Sequence, residues 1–169
     1  MQKLEYDFFN RNVVEVARDL LGKTLHFHQF AGIVTETEAY RGSDDEASHA
    51  FKGPTKRSGV MFGPAGYSYV YLIYGMYNCL NIVAEEEGSG AAILIRGLKL
   101  PDIHLDGPGK ICRHVGITRE HSGINLIGNN DFYVSSRGLN EKVKYSSSSR
   151  IGIKKAIDKQ WRFYINGGI

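Results

Sequence analysis

Residues 67–81, YSYVYLIYGMYNCLN, constrain this chain more than any other stretch. Tyr67, Tyr69, Tyr71 and Ile73 alternate with Ser68, Val70, Leu72 and Tyr74, so the segment reads as a strand that turns at Tyr74-Gly75-Met76 and returns through Tyr77. The fold must therefore contain a sheet with this hairpin in it. Tyrosines are ordinary strand formers, and a Tyr-rich hairpin serves either sheet packing or a ligand surface. Tyr74 and Met76 tilt the balance toward a surface, because the turn projects them into solvent and large apolar groups left there usually touch something. A nucleic-acid base step would be one suitable target.

The second informative segment is Val34 to Tyr40, VTETEAY. As a regular strand it places Val34, Glu36, Glu38 and Tyr40 on one face and Thr35, Thr37 and Ala39 on the other. A desolvated carboxylate without a partner loses several kcal/mol or more, so each glutamate is either paired with Lys or Arg or positioned to handle protons. The segment alone leaves both options open.

The remaining elements follow from spacing. Asn12 with Glu15 resembles an N-cap and its partner, and Val13, Val16, Ala17, Leu20 and Leu21 recur at helical spacing until Gly22. Lys23 to Phe30 reads as a strand that turns near Ala31-Gly32 and pairs with the strand of Glu38. Ser43 and Glu46 have capping-box spacing, predicting a short helix that delivers His49. Gly53 to Gly66 reads as a loop, Glu85 to Glu87 as a solvated acidic tip, and Ala91 to Ile95 as a strand ending at Arg96. Gly107-Pro108-Gly109-Lys110 opens a helix through Ile111, Cys112 and Val115, whose exposed amides could take a phosphate. Short strands are expected near Phe132 to Val134, Ile151 to Ile153 and Phe163 to Ile165, with the serine run Ser146 to Ser149 as a loop.

Composition narrows the class. At 169 residues, 42% hydrophobic and 23% charged, the chain suits one domain with a sizeable core and argues against disorder or a membrane span. Its start, MQKLEYDFFNR, lacks the apolar core of a secretion signal, which places the protein in the cytoplasm. Cys79 and Cys112 are too few and too far apart for a disulfide framework or zinc knuckle and read as small hydrophobes. Residues 1–95 hold 8 Lys+Arg against 12 Asp+Glu, whereas residues 96–169 hold 13 against 6. A basic half of this kind can supply sequence-independent attraction to phosphates.

Taken in order, ETEAYRG, DDEASH, TKRSGVMF, YVYLIYGMYNCLN, ILIRG, GPGK and RIGI with RFY resemble the alkyladenine (3-methyladenine) DNA glycosylase family over nearly the whole chain. The resemblance implies an α+β fold: a single compact domain, residues 1–169, with a curved, mostly antiparallel sheet flanked by helices and a protruding hairpin. It implies base-excision repair of duplex DNA containing damaged purines. The enzyme would flip an alkylated or deaminated purine out of the helix and hydrolyse its N-glycosidic bond, as a monomer, without lyase activity and with neither metal nor organic cofactor. By position Glu38 is then the general base for the attacking water, with Glu36 its supporting neighbour. Tyr40, His49, Tyr71 and Asn81 match the base pocket, Asn81 by crowding the exocyclic amine of normal guanine. Tyr74 matches the intercalating wedge, with Met76 beside it on the turn. Arg96 matches a phosphate contact, Thr55, Arg57 and Met61 align with the loop that lines the DNA face, and Lys110 at its helix start is a candidate further phosphate contact. One departure concerns the loop after Thr55, where Ser58 replaces the usual Asn and a hydroxyl replaces an amide's two-ended bonding.

Other chemistry is less well supported. His26-x-His28 has metal-ligand spacing but no accompanying ligand set, and reads as a solvated strand face. Asp44-Asp45-Glu46 would suit a magnesium-dependent nuclease, yet acids in a helix's first turn already fit its dipole. Glu36 and Glu38 point the same way and so cannot flank a sugar as an acid and base pair. The competing class is a non-catalytic module for bent or damaged nucleic acid, which would have no use for Glu38 near the base pocket.

Overall fold

Strand β3, Phe30–Tyr40, is the hub on which the other elements are arranged in the computed structural model, which describes residues 1–136 and 143–167. The first half of β3 pairs with β2 (Thr24–Phe27), and its second half pairs on that same side with β10 (Arg162–Ile165). Its other side carries β6 (Ala91–Lys99). The sheet continues from β6 through β5 (Tyr77–Ala84) to β4 (Ser68–Ile73), and from β2 through β8 (Phe132–Ser136) to β1 (Gln2–Lys3). Short β7 (His104–Asp106) lies on β6, and β9 (Tyr145–Ser148) lies on β10. All these pairings are antiparallel. Helices α1 (Tyr6–Phe9), α2 (Val13–Asp19) and α3 (Pro108–Val115) complete the α+β architecture that the resemblance implies.

The core lies between the sheet and its helices. Val13, Val16 and Ala17 of α2 and Ile111, Cys112 and Val115 of α3 are buried with Leu80, Ile82, Ile93 and Ile95 of the sheet. Helix α2 begins where Asn12 is expected to cap it, and the Asn12 side chain accepts from the amides of Val14 and Glu15. A second cap comes from a distance: Glu85 Oε1 accepts the Val13 amide at 2.9 Å. The acidic tip is therefore solvated only at Glu86 and Glu87, while Glu85 is drawn inward to satisfy a helix end.

One irregularity sets the faces of β3. The register against β6 slips between Val34 and Glu36 and again between Glu36 and Thr37, forming a bulge. Val34 consequently joins Ala39 in the main core, and Thr37 reaches back to donate to the Ala17 carbonyl of α2. Val34 thus departs from the simple alternation that groups it with Glu36 and Glu38. Gly97, which faces Glu36, makes the bulge possible, since a Cβ there would clash with Thr35 Oγ1 and lie 2.9 Å from Glu36 Cβ.

Other expectations need correcting. The β2–β3 turn falls at His28-Gln29, with His28 at φ +50°, because Gly32 belongs to the strand and packs beneath Leu98. No helix follows Ser43. Asp45 instead accepts from the amides of Arg41 and Ala47, holding the segment in turns. Ile151 to Ile153 is a turn and not a strand. Ser146 to Ser148 of the serine run belong to strand β9, held in that state by its ladder with β10 and not by its own propensity, and Ser149 lies beyond it. His26 donates to or accepts from Ser135 Oγ at 2.9 Å and stacks on Tyr133, the role of a strand-face histidine. Among the described residues no helix is long and apolar enough to cross a membrane.

Candidate active site

Directly paired residues of adjacent antiparallel strands point to the same side of a sheet. Glu38 of β3 faces Leu94 of β6, Leu94 faces Asn81 of β5, and Asn81 faces Tyr69 of β4. This row crosses a cavity of about 610 Å³, on the side of the sheet away from α2. Tyr40, His49, Met61 and Tyr71 help to wall it, and Tyr74 and Tyr77 of the hairpin, the start of α3 and residues Ile151 to Ile153 close its rim. Among the described residues Glu38 is the only acid in this lining.

The two glutamates differ in their partners. Glu36 is paired: its Oε1 accepts from Arg162 Nε at 2.6 Å and Arg96 Nε at 3.0 Å. Glu38, with 0% of its area exposed, is left with Arg96 Nε at 3.7 Å. Its hydrogen bonds come from neutral donors, the Tyr40 hydroxyl on Oε1 at 2.9 Å and the Ile151 amide on Oε2 at 2.6 Å. A carboxylate offers about four acceptor positions, so each oxygen retains room for a further donor such as water. Burial raises the Glu38 pKa from its ordinary value, with Arg96, the Ile151 amide and Tyr40 pulling against it. The Tyr40 phenol is held well above its usual range, by burial first and by the Glu38 charge second, and remains a donor.

The other residues singled out in the sequence take definite places. His49 sits at the rim with its ring set edge-on to Tyr71, centroids 4.6 Å apart, and Nδ1 is 3.3 Å from the Tyr69 hydroxyl. Desolvation against these rings, and the Arg57 charge, push its pKa down to about 4, so the imidazole is neutral at physiological pH. Asn81 is buried, its amide donating to the carbonyls of Tyr69 and Cys79, which fixes the side chain's orientation in the wall. Met61 is buried in a small second cluster with Tyr69, Val83 and Ala92, and reaches the cavity from within. Lys110 lies at the rim and pairs with Asp106 at 2.6 Å. Arg57 lies outside the lining, with its guanidinium 5.1 Å from the Tyr71 ring centre and donating to the Leu72 carbonyl. Thr55 also lies outside, bonded to Ser58. The buried Ser58 hydroxyl accepts from the Thr55 amide at 3.0 Å and reaches the Gly53 carbonyl at 3.4 Å, so it ties both ends of this loop despite its short reach.

At the hairpin tip Met76 N donates to the Ile73 carbonyl, and Tyr74 and Gly75 have φ of +54° and +66°. Two positive φ values match the twist of a tight hairpin, but Tyr is a poor residue for the left-handed region. Tyr74 is nevertheless 83% exposed and Met76 66% exposed, so no packing compensates the strain.

The sequence reading did not nominate Tyr69, Tyr77, Asp45, Arg150 or Ile151 for the site. Asp45 and Arg150 form a bidentate pair, 2.6 and 2.7 Å, with both side chains fully buried behind Tyr40. The available signal was their membership of the strings DDEASH and RIGI, but nothing local links residues 105 positions apart. Cys79 lines the cavity with its thiol pKa raised by burial, and burial pushes that of Cys112 up to about 12, as befits unreactive packing residues.

A family model described as methylpurine-DNA glycosylase (MPG) matches residues 7–168. A Rickettsia felis protein named "Putative 3-methyladenine DNA glycosylase" is 52% identical over 165 residues, covering 96% of this chain and 92% of its own. Proteins of the same name from Ehrlichia ruminantium and Rickettsia rickettsii are 52% identical over 167 residues and 50% identical over 165. Each covers 96% of this chain, and these alignments span 88% and 89% of the respective relatives.

Proposed function

The chain belongs to the methylpurine-DNA glycosylase family, and on that premise we propose that it extrudes an alkylated or deaminated purine from duplex DNA and hydrolyses the N-glycosidic bond with a water activated by Glu38. The observation that carries this reading is the position of Glu38, the only acid among the described residues to line an aromatic cavity, with its neighbour Glu36 absorbing the nearest arginine donors. A carboxylate so placed can take a proton from water and favour the positive charge that grows on the sugar as the purine departs. A pKa raised by burial makes it a better base than an exposed glutamate.

Tyr40, His49 and Tyr71 supply the faces against which the base is held, and stacking of this kind is worth roughly 1–3 kcal/mol per base. An electron-poor alkylpurine stacks best on such rings and is also the easiest base to release. Asn81, fixed in the wall, limits which purine edge fits. Tyr74 enters the minor groove and fills the gap left by the extruded nucleotide, with Met76 beside it. Arg96, Lys110, Thr55 and Arg57 meet the flanking strand, and Met61 backs the pocket. The protein acts as a monomer in the cytoplasm, needs no cofactor and leaves an intact abasic strand.

The test is incubation with chelator and a duplex carrying one hypoxanthine or 7-methylguanine, followed by alkali. The expected result is a break at the lesion only after alkali. Glu38→Gln should bind the lesion duplex and release the base about 10²- to 10⁴-fold more slowly, the range for a lost general base. Equal release by mutant and parent would remove Glu38 from the mechanism, and binding without turnover by the parent would leave a recognition module.

A further inference from the structure

The buried Asp45–Arg150 pair lies outside the cavity lining, yet several contacts of Arg150 and of the residue after it run toward the cavity. Arg150 Nη1 donates to the Ala39 carbonyl at 2.8 Å, one residue from Glu38. The guanidinium lies 4.6 Å from the centre of the Tyr40 ring and 5.3 Å from that of Trp161. The next residue, Ile151, delivers its amide to Glu38 Oε2. Arg150 Nε is buried without a hydrogen-bond partner among the described residues. Buried pairs rarely stabilise a fold better than packed apolar side chains, and one with an unpaired donor does so less. What the pair supplies is geometry.

We propose that Asp45 and Arg150 are positioning residues, which hold the Ile151 amide on the general base and brace the Tyr40 ring from behind as a platform for the flipped purine. The inference rests on the glycosylase reading for its consequence in catalysis. Its structural half, the placing of the Ile151 amide and the Tyr40 ring, stands apart from that reading. Asp45 fixes the guanidinium in a fork that lysine cannot reproduce, since lysine carries no planar pair of donors. With the fork lost, the turn after Arg150 relaxes and the carboxylate loses a donor that favours its charged form.

Arg150→Lys keeps the charge and removes the fork. Single-turnover base release should fall about 10- to 100-fold, as for small misplacements of catalytic groups, with duplex affinity changed less than about threefold. The acid limb of the rate profile should move to higher pH, because Glu38 then holds its proton more tightly. The other groups around that carboxylate are Glu36 and Tyr40 on β3, Arg96 on β6, Tyr71 on β4 and Arg162 on β10, and none of them changes in the variant. A role in folding alone would lower the melting temperature without moving the pH profile of the folded fraction. Asp45→Asn with Arg150→Gln provides an uncharged second variant with the same expectation. In the unmutated protein the Ile151 amide proton should titrate together with the Glu38 carboxyl carbon by NMR, a readout that needs neither variant nor activity. An Ile151 amide insensitive to that titration, or a folded Arg150→Lys protein with parental rate and profile, overturns the proposal. An unmutated protein that releases no base refutes the glycosylase reading, while the NMR titration still decides the positioning.

Discussion

Tyr74→Asn should make this protein more stable and less able to hold a base out of the helix. Tyr74 has φ +54° and is 83% exposed, so it bears the cost of a left-handed residue without the benefit of burial. Asparagine is several-fold enriched in that region, and Asn-Gly is a preferred pair for two successive positive φ values. A several-fold preference corresponds to about 1 kcal/mol, and little packing is lost because the ring touches little. For a chain of this size about 1 kcal/mol raises the melting temperature by roughly 2–4 °C. The assay pairs thermal unfolding with the fluorescence of a base analogue opposite or beside the lesion, which rises as the nucleotide leaves the stack. The expected outcome is a higher melting temperature with a smaller fluorescence rise. A lower melting temperature would show that the tip is not strained as argued, and an unchanged fluorescence rise would remove Tyr74 from the wedge role.

The Glu38 pKa is raised above its ordinary 4.5, so the folded state binds a proton more tightly than the unfolded chain, and this contribution to stability is present below pH 4.5 and lost as pH rises through the folded value. Denaturant titrations should show the parent losing stability relative to Glu38→Gln across that window, and parallel curves would contradict the burial argument. His49 should titrate near pH 4 by NMR and stay neutral from pH 5 upward, with a shift near 6.5 counting against its packing on Tyr69 and Tyr71. Gly97→Ala should cost about 1–3 kcal/mol by overpacking the bulge, and should slow base release in the folded fraction by moving Glu36 and Glu38, with melting and single-turnover rates as the two measures.

The elements legible in the sequence are those whose signal is local. The Asn12 cap and the 3.6-residue period of Val13, Val16 and Ala17 give α2, and the tyrosine alternation around Tyr74-Gly75 gives the hairpin with its tip where the turn chemistry places it. Where local spacing misleads, a distant partner has won. Ser43 and Glu46 have the spacing of a capping box, but Asp45 between them is taken by Arg150, and the segment turns instead. Ser146 to Ser149 lacks strand propensity, and Arg162 to Ile165 imposes the strand by supplying a ladder. Glu85 reads as part of a solvated tip until the Val13 amide is seen to need an acceptor.

The candidate site shows the same division. Alternation along a strand is a property of the backbone, so the sequence by itself put Glu36, Glu38 and Tyr40 on one face and Tyr74 on an exposed turn. Which glutamate is paired and which faces an open cavity depends on Arg96 and Arg162, brought in from two other strands, and on the Ile151 amide held by a pair that spans the chain. Those are contacts between residues far apart in sequence, fixed only when the sheet closes and desolvates them, and no local pattern carries that information.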